Sequence, residues 1–166
     1  MRIVWAASVA LALCALIAGQ AHAAGPKTWS NRTLHLGLAY PGNWRVVPER
    51  GAALKLVAPD AGGEFEIFSL PTPSSAERLA SLAAATLVRL HCGKAMRQAT
   101  GNVGHLDVAG TIASGACTGG DRGWQLTVTV FAYGHGTVLV RSWLFHQQPR
   151  DRAALGAIAA SLVADS

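Results

Sequence analysis

Apolar and polar positions alternate strictly from Thr33 to Ala39, with Leu34, Leu36 and Leu38 on one side and His35 and Gly37 on the other. A period of two predicts a half-buried strand. The strand ends at Tyr40-Pro41-Gly42-Asn43-Trp44, where Pro41 presets its backbone angle and Gly42 and Asn43 tolerate left-handed geometry. Leu54–Ala58 and Glu64–Ser69 read as two further strands joined as a hairpin through Pro59-Asp60-Ala61-Gly62-Gly63. The period then changes. Leu79, Leu82, Leu87 and Leu90 recur at helical spacing, Ser74 and Glu77 form a capping box, and Gly93 stands where a C-cap belongs, predicting a helix over about Ser75–Cys92. Alternation returns between Val103 and Ser114, with Leu106, Val108, Gly110 and Ile112 facing one way, and again through Trp124, Leu126, Val128 and Val130. Tyr133-Gly134-His135-Gly136 predicts a tight turn into a last strand, Thr137–Phe145. A closing helix follows Pro149, with Leu155, Ile158 and Leu162 on one face.

Short connections between successive strands argue for antiparallel pairing, and two amphipathic helices need a sheet face to cover. The predicted fold class is therefore α+β: an antiparallel sheet of about six strands with two packed helices.

The order of these elements, together with the run Leu34-His35-Leu36-Gly37-Leu38-Ala39-Tyr40-Pro41-Gly42-Asn43-Trp44, resembles the Mog1/PsbP-like superfamily. There an early strand runs into a Tyr-Pro-x-x-Trp-like turn, matched here by Tyr40, Pro41 and Trp44. A strand such as Leu54-Lys55-Leu56-Val57-Ala58, a central helix, long antiparallel strands and a closing helix follow. The resemblance spans roughly Thr33–Val163. It implies an accessory or binding module rather than an enzyme, as in the exported bacterial PsbP-like and DcrB-like domains. It carries no catalytic residues over, and fold likeness alone does not assign a function.

The N-terminus adds a compartment. Arg2 precedes an almost unbroken apolar run, Ile3–Ile17, and Ala21-His22-Ala23 offers the small residues that a signal peptidase requires. We expect a signal peptide over residues 1–23, cleaved after Ala23, and one domain over 24–166 in the periplasm or beyond the cell. The run is shorter than the roughly 20 residues of a spanning helix. In an oxidising compartment Cys92 and Cys117 are expected to form a disulfide, and they lack the Cys-x-x-Cys spacing of redox and metal sites.

Charge narrows the partners. The formal net charge of +5 falls to +4 without Arg2 and is scattered, which suits an envelope protein or another anionic envelope component and gives no reason to expect nucleic acid. Nothing points to a cofactor. His35, His105 and Asp107 would make a metal or orienting site only if folding brought them together, since no His-x-x-x-His or His-Glu-x-x-His spacing occurs. Glu64 and Glu66 share a strand face and read as exposed. No nucleophile elbow or phosphate loop is present. Trp44 beside Arg45, and Trp143 sharing a strand face with Arg141, are candidate aromatic–basic binding pairs. His135 is a candidate at a hairpin tip. The sequence favours a non-catalytic accessory or binding protein. A small, metal-assisted exported enzyme is the alternative. An inhibitor or immunity protein acting through the Tyr133–Thr137 hairpin is another.

Overall fold

The computed structural model describes residues 25–72, 74–118 and 123–165. The expected signal peptide and its cleavage point lie outside the described residues. Among the described residues, ten strands and two helices follow in the order β1 (Lys27–Asn31), β2 (Leu36–Tyr40), β3 (Arg45–Val46), β4 (Ala52–Val57), β5 (Gly63–Leu70), α1 (Ala76–Arg89), β6 (Lys94–Asn102), β7 (Ala109–Ala116), β8 (Gln125–Tyr133), β9 (Gly136–Leu144), α2 (Pro149–Ala160) and β10 (Val163–Ala164). Strands β3-β4-β5-β9-β8-β7-β6 form one antiparallel sheet, and β1-β2-β10 form a second. The α+β class is as expected, but ten strands in two sheets replace about six in one.

Of the four strands absent from the sequence reading, β1 packs Trp29 against the core and the other three lack an apolar face. β6 is exposed at almost every position, and β3 and β10 are two-residue pairings. Only backbone hydrogen bonding holds such segments in a sheet, and backbone bonding leaves no mark in the residue pattern. Conversely, the alternation at 103–108 is not a strand. Val103 and Leu106 are buried as anchors of a loop, with the Leu106 N–H donating to the Val103 carbonyl at 3.0 Å. Gly104 turns this loop at φ 54, and a β-carbon there would stand 2.5 Å from the Leu162 carbonyl oxygen. A side chain is thus excluded on both conformational and steric grounds.

Helix α1 starts and stops one register away from the sequence signals. Ser75, not Ser74, is the N-cap, its hydroxyl accepting from the Arg78 N–H at 3.4 Å. Ser74 instead meets the Thr137 hydroxyl at 3.0 Å. At the other end His91, not Gly93, takes the left-handed position at φ 57. The His91 N–H donates to Val88 and the Cys92 N–H to Leu87, the paired bonds of a Schellman cap. This cap sets Cys92 against β7, where it forms the disulfide with Cys117. The His91 carbonyl accepts from the Thr118 N–H beside it.

The layers are staggered. α1 buries Leu79, Ala83 and Leu87 against Ala113, Leu126, Val128 and Val130 of β7 and β8 on one face of the large sheet. On the opposite face α2 and the small sheet cover β4, β5 and β9, packing Leu155, Ile158, Leu36 and Leu38 against Leu56, Phe65, Ile67 and Val140. Each face is therefore covered over one half of its width. The other halves, over β3–β5 and β9 on the α1 side and over β6–β8 on the α2 side, mix polar side chains with apolar ones such as Val57 and Phe68 on the first and Ile112 and Phe131 on the second.

Candidate functional site

The uncovered half beside α1 holds the charged residues of the central strands. Pairing places Lys55, Glu66 and Arg141 in one cross-strand row and Arg45, Val57, Glu64 and Trp143 in the next. Glu66 is 3% exposed, so the expectation of an exposed carboxylate is corrected. β5 lies between β4 and β9 rather than at an edge, and its neighbours close over the carboxylate. Arg141 Nε stands 2.9 Å from Glu66 Oε2, an ion pair by distance whose N–H is not aimed well enough for a hydrogen bond. The Trp143 indole N–H donates to the same oxygen at 3.1 Å, and Lys55 Nζ is 3.5 Å from Glu66 Oε1 and 2.9 Å from Glu64. Burial alone lowers the Lys55 pKa, but the hydrogen bond to Glu64 and the charges of Glu64, Glu66 and Glu49 outweigh it and raise the value above 10.5. The Arg141 guanidinium also lies 4.2 Å over the Phe68 ring. Lys55, Glu64, Glu66 and Arg141 each have an oppositely charged partner inside the cluster.

Of the two aromatic–basic pairs, Trp143 and Arg141 do share a face, but both are held by Glu66. Trp44 is 4% exposed and belongs to the core, whereas Arg45 is exposed on the edge strand β3. The correction has a local cause. The Trp44 N–H donates to the Pro41 carbonyl at 2.9 Å, so the Pro41-Gly42-Asn43 turn folds the indole back inward until its edge lies against Gly63.

The histidines separate. His35 lies in the β1–β2 turn at φ 51 rather than on a strand, and His105 and Asp107 are exposed in the β6–β7 connection rather than aligned on one strand. His35 and His105 line different cavities. Among the described residues no group of three or more His, Cys, Asp or Glu is placed to hold a metal ion.

What folding does bring together is His35 and His135. Both line an open cleft of about 450 Å3 at one end of the sheet, walled by the β1–β2 turn, the end of β5 and the β8–β9 hairpin. Leu34, Leu70 and Pro71 supply its apolar part, and Tyr133 lines it with the two histidines. The walls are tied to one another. The Tyr133 hydroxyl donates to the His35 carbonyl at 3.1 Å, and the Asp165 N–H donates to the same oxygen at 2.9 Å. The Thr137 hydroxyl donates to the Thr72 carbonyl at 2.8 Å. Gly134 turns the hairpin at φ 57, and at Gly136 a β-carbon would stand 2.6 Å from the Leu70 carbonyl oxygen, so the strands meet at van der Waals contact. His135 and His35 are exposed within this frame. The cleft offers apolar contact, two imidazoles and a phenol, and no carboxylate lines it, a set suited to binding. The sequence named both histidines separately. Their juxtaposition depends on strand pairings across about a hundred residues and has no local signal.

No protein-family model matches the chain, and no curated protein matches it. Solved structures do. A crystal structure from Bacteroides thetaiotaomicron superposes with a TM-score of 0.60 at 12% identity, over 84% of this chain and 48% of that one, so the chain spans about half of that protein. The solution structure of the cyanobacterial PsbP, CyanoP, from Synechocystis superposes with a TM-score of 0.56 at 12% identity, covering 88% of this chain and 96% of that one. LpqN of Mycobacterium tuberculosis, described as involved in cell envelope biogenesis, gives 0.53 at 12% identity over 86% of each chain. The likeness to these structures, with two helices on antiparallel sheets, thus identifies the architecture of this chain as the α+β, PsbP-like fold.

Proposed function

We propose that this protein is an exported, non-catalytic accessory module of the cell envelope, and that its protein partner docks at the hairpin-tip cleft. The observation that carries the reading is the rigid cleft itself, where two exposed imidazoles and Tyr133 join apolar side chains in a frame held by hydrogen bonds from three separate segments. Aromatic and apolar anchors in a preformed pocket, with a few polar groups to orient the partner, are the usual composition of an interface hot spot. Structural likeness to an envelope-biogenesis protein and to a PsbP protein supports an accessory role. Separation of His35 from His105 and Asp107 favours this reading over a metal-assisted enzyme built on those residues. No helix of the described residues is long and apolar enough to cross a membrane.

The test is comparative capture from the host envelope with tagged wild-type protein and the variants His135→Ala and Leu34→Ala. Each side chain is at the cleft rather than in the deep core, so melting temperatures should stay within a few degrees. A partner held by wild type and released by both folded variants supports the proposal. A partner set unchanged by both overturns the choice of site.

A further inference from the structure

On the α2 side of the large sheet, the uncovered half over β6–β8 forms a groove alongside α2. Three cavities of about 400, 190 and 340 Å3 run end to end along it, the first two sharing Gln125, Thr127 and Arg152 and the last two sharing Thr129 and Ala159. Their lining changes from end to end. Arg97, Arg152, Ser114, Gln125 and Thr127 line the first, whereas Val103, Ile112, Val140, Ala159 and Leu162 make up half of the lining of the last, beside Asn102, His105 and Thr129. Among the described residues no Asp or Glu lines any of the three.

Among the described residues the cationic end has no internal counterion. Arg152 donates to the amide oxygens of Gln125 at 3.0 Å and Gln147 at 2.7 Å, contacts that orient its guanidinium without neutralising it. Among the described residues neither Arg97 nor Arg152 stands within ion-pair distance of a carboxylate, in contrast to Arg141 and Lys55 across the sheet. Two unneutralised guanidiniums beside hydroxyl and amide donors complement an oxyanion. The groove stays open at its middle because Gly156, inside α2, lines it, and a β-carbon there would meet nothing within 4 Å. Glycine is disfavoured inside a helix, and no left-handed angle requires it here.

We propose that this groove binds a single-chain anionic amphiphile, with its oxyanion head at Arg97 and Arg152 and its alkyl chain along α2 toward Ile112 and Leu162. The site is separate from the hairpin-tip cleft and stands whether or not that cleft binds a partner.

The test is calorimetric titration of the purified exported protein with dodecyl phosphate below micelle formation, beside dodecyl maltoside and inorganic phosphate. Dodecyl phosphate should bind one-to-one, with affinity that weakens as salt rises, and at least about 10-fold more tightly than either control. Arg97→Gln with Arg152→Gln should weaken it about 10-fold or more, and Gly156→Leu, which fills open space without crowding the fold, should do the same with an unchanged or higher melting temperature. Equal binding of dodecyl maltoside, equal binding of inorganic phosphate, or no saturable binding of dodecyl phosphate would each overturn the proposal. So would an unchanged affinity in Gly156→Leu, a variant whose folding is not in question even if the double arginine variant does not fold.

Discussion

Asp151 shows how a single residue sets a cost that the fold carries. It is the third residue of α2, 4% exposed, and its Oδ2 has no hydrogen-bond partner, with only the lack of a β-carbon at Gly62 leaving it room. Burial, and then the charge of Asp60, raise its pKa above 3.8 against the opposing effects of Arg150 and His146. A raised carboxyl pKa means that the folded protein holds this proton more tightly than the unfolded chain does. The contribution of Asp151 to stability therefore falls as pH rises from 3.8 through its folded value, and stays lower above it. Asp60 has the opposite sign. The Gly62 N–H lowers its pKa, desolvation opposes this, and the Arg150 guanidinium adds to the lowering, so its stabilisation is present above 3.8 and is lost as pH falls through its folded value. Asp151→Asn should stabilise the protein by about 1 kcal/mol at neutral pH, with the gain vanishing in acid. Chemical denaturation at neutral and acidic pH checks this. His91 is the second such residue. Non-glycine residues in the left-handed region cost roughly 1 kcal/mol, so His91→Gly should raise stability by about that amount. Glu66 is the reverse case. Glu66→Gln leaves Arg141 without its carboxylate in a half-buried row and should cost about 2–3 kcal/mol in denaturant unfolding.

At the level of elements, the sequence is legible wherever burial is one-sided. β2, β4, β7 and β8 carry alternation and α1 carries an apolar stripe, so their existence follows from period, whereas β5 and β9 bury consecutive residues on both faces and show as apolar runs between turn signals. β6 shows neither, because Lys94–Asn102 lies at the edge of the large sheet with its side chains in water. A bulge between Lys94 and Arg97, and the positive charge of those residues, protect this edge from pairing with other chains. Helix ends were legible to within a residue or two, since Ser74 and Ser75 are equally good caps by type and the Thr137 hydroxyl decides between them by engaging Ser74. The disulfide acts at this scale too. It joins the end of α1 to the end of β7 across a sequence separation of 25, and Cys92→Ser with Cys117→Ser should cost roughly 3 kcal/mol on melting, by release of loop entropy. Loss should be largest at the α1–β6 junction, where amide exchange would report it.

For the whole molecule, the order of elements was enough to indicate the Mog1/PsbP-like architecture, because that order constrains which strands can pair. The staggering of the two covering layers was not, for it depends on which half of each sheet face every helix occupies. Both open surfaces arise from that offset, and neither was visible as a motif. His35 and His135 were noticed for their type, but the cleft that joins them exists only after β1–β2 and β8–β9 meet at one end of the molecule. The same argument holds for Arg141 and Trp143. Their polar partner, Glu66, reaches them only through the β5–β9 register.

The central claim is that a protein partner docks at the hairpin-tip cleft, and site-specific photocrosslinking in the native envelope tests it most directly. A photoreactive residue at position 135 should give one discrete protein adduct, and the same residue at Glu77, exposed at the start of α1, should give none. Equal adducts from both positions, or none from position 135, would contradict the account.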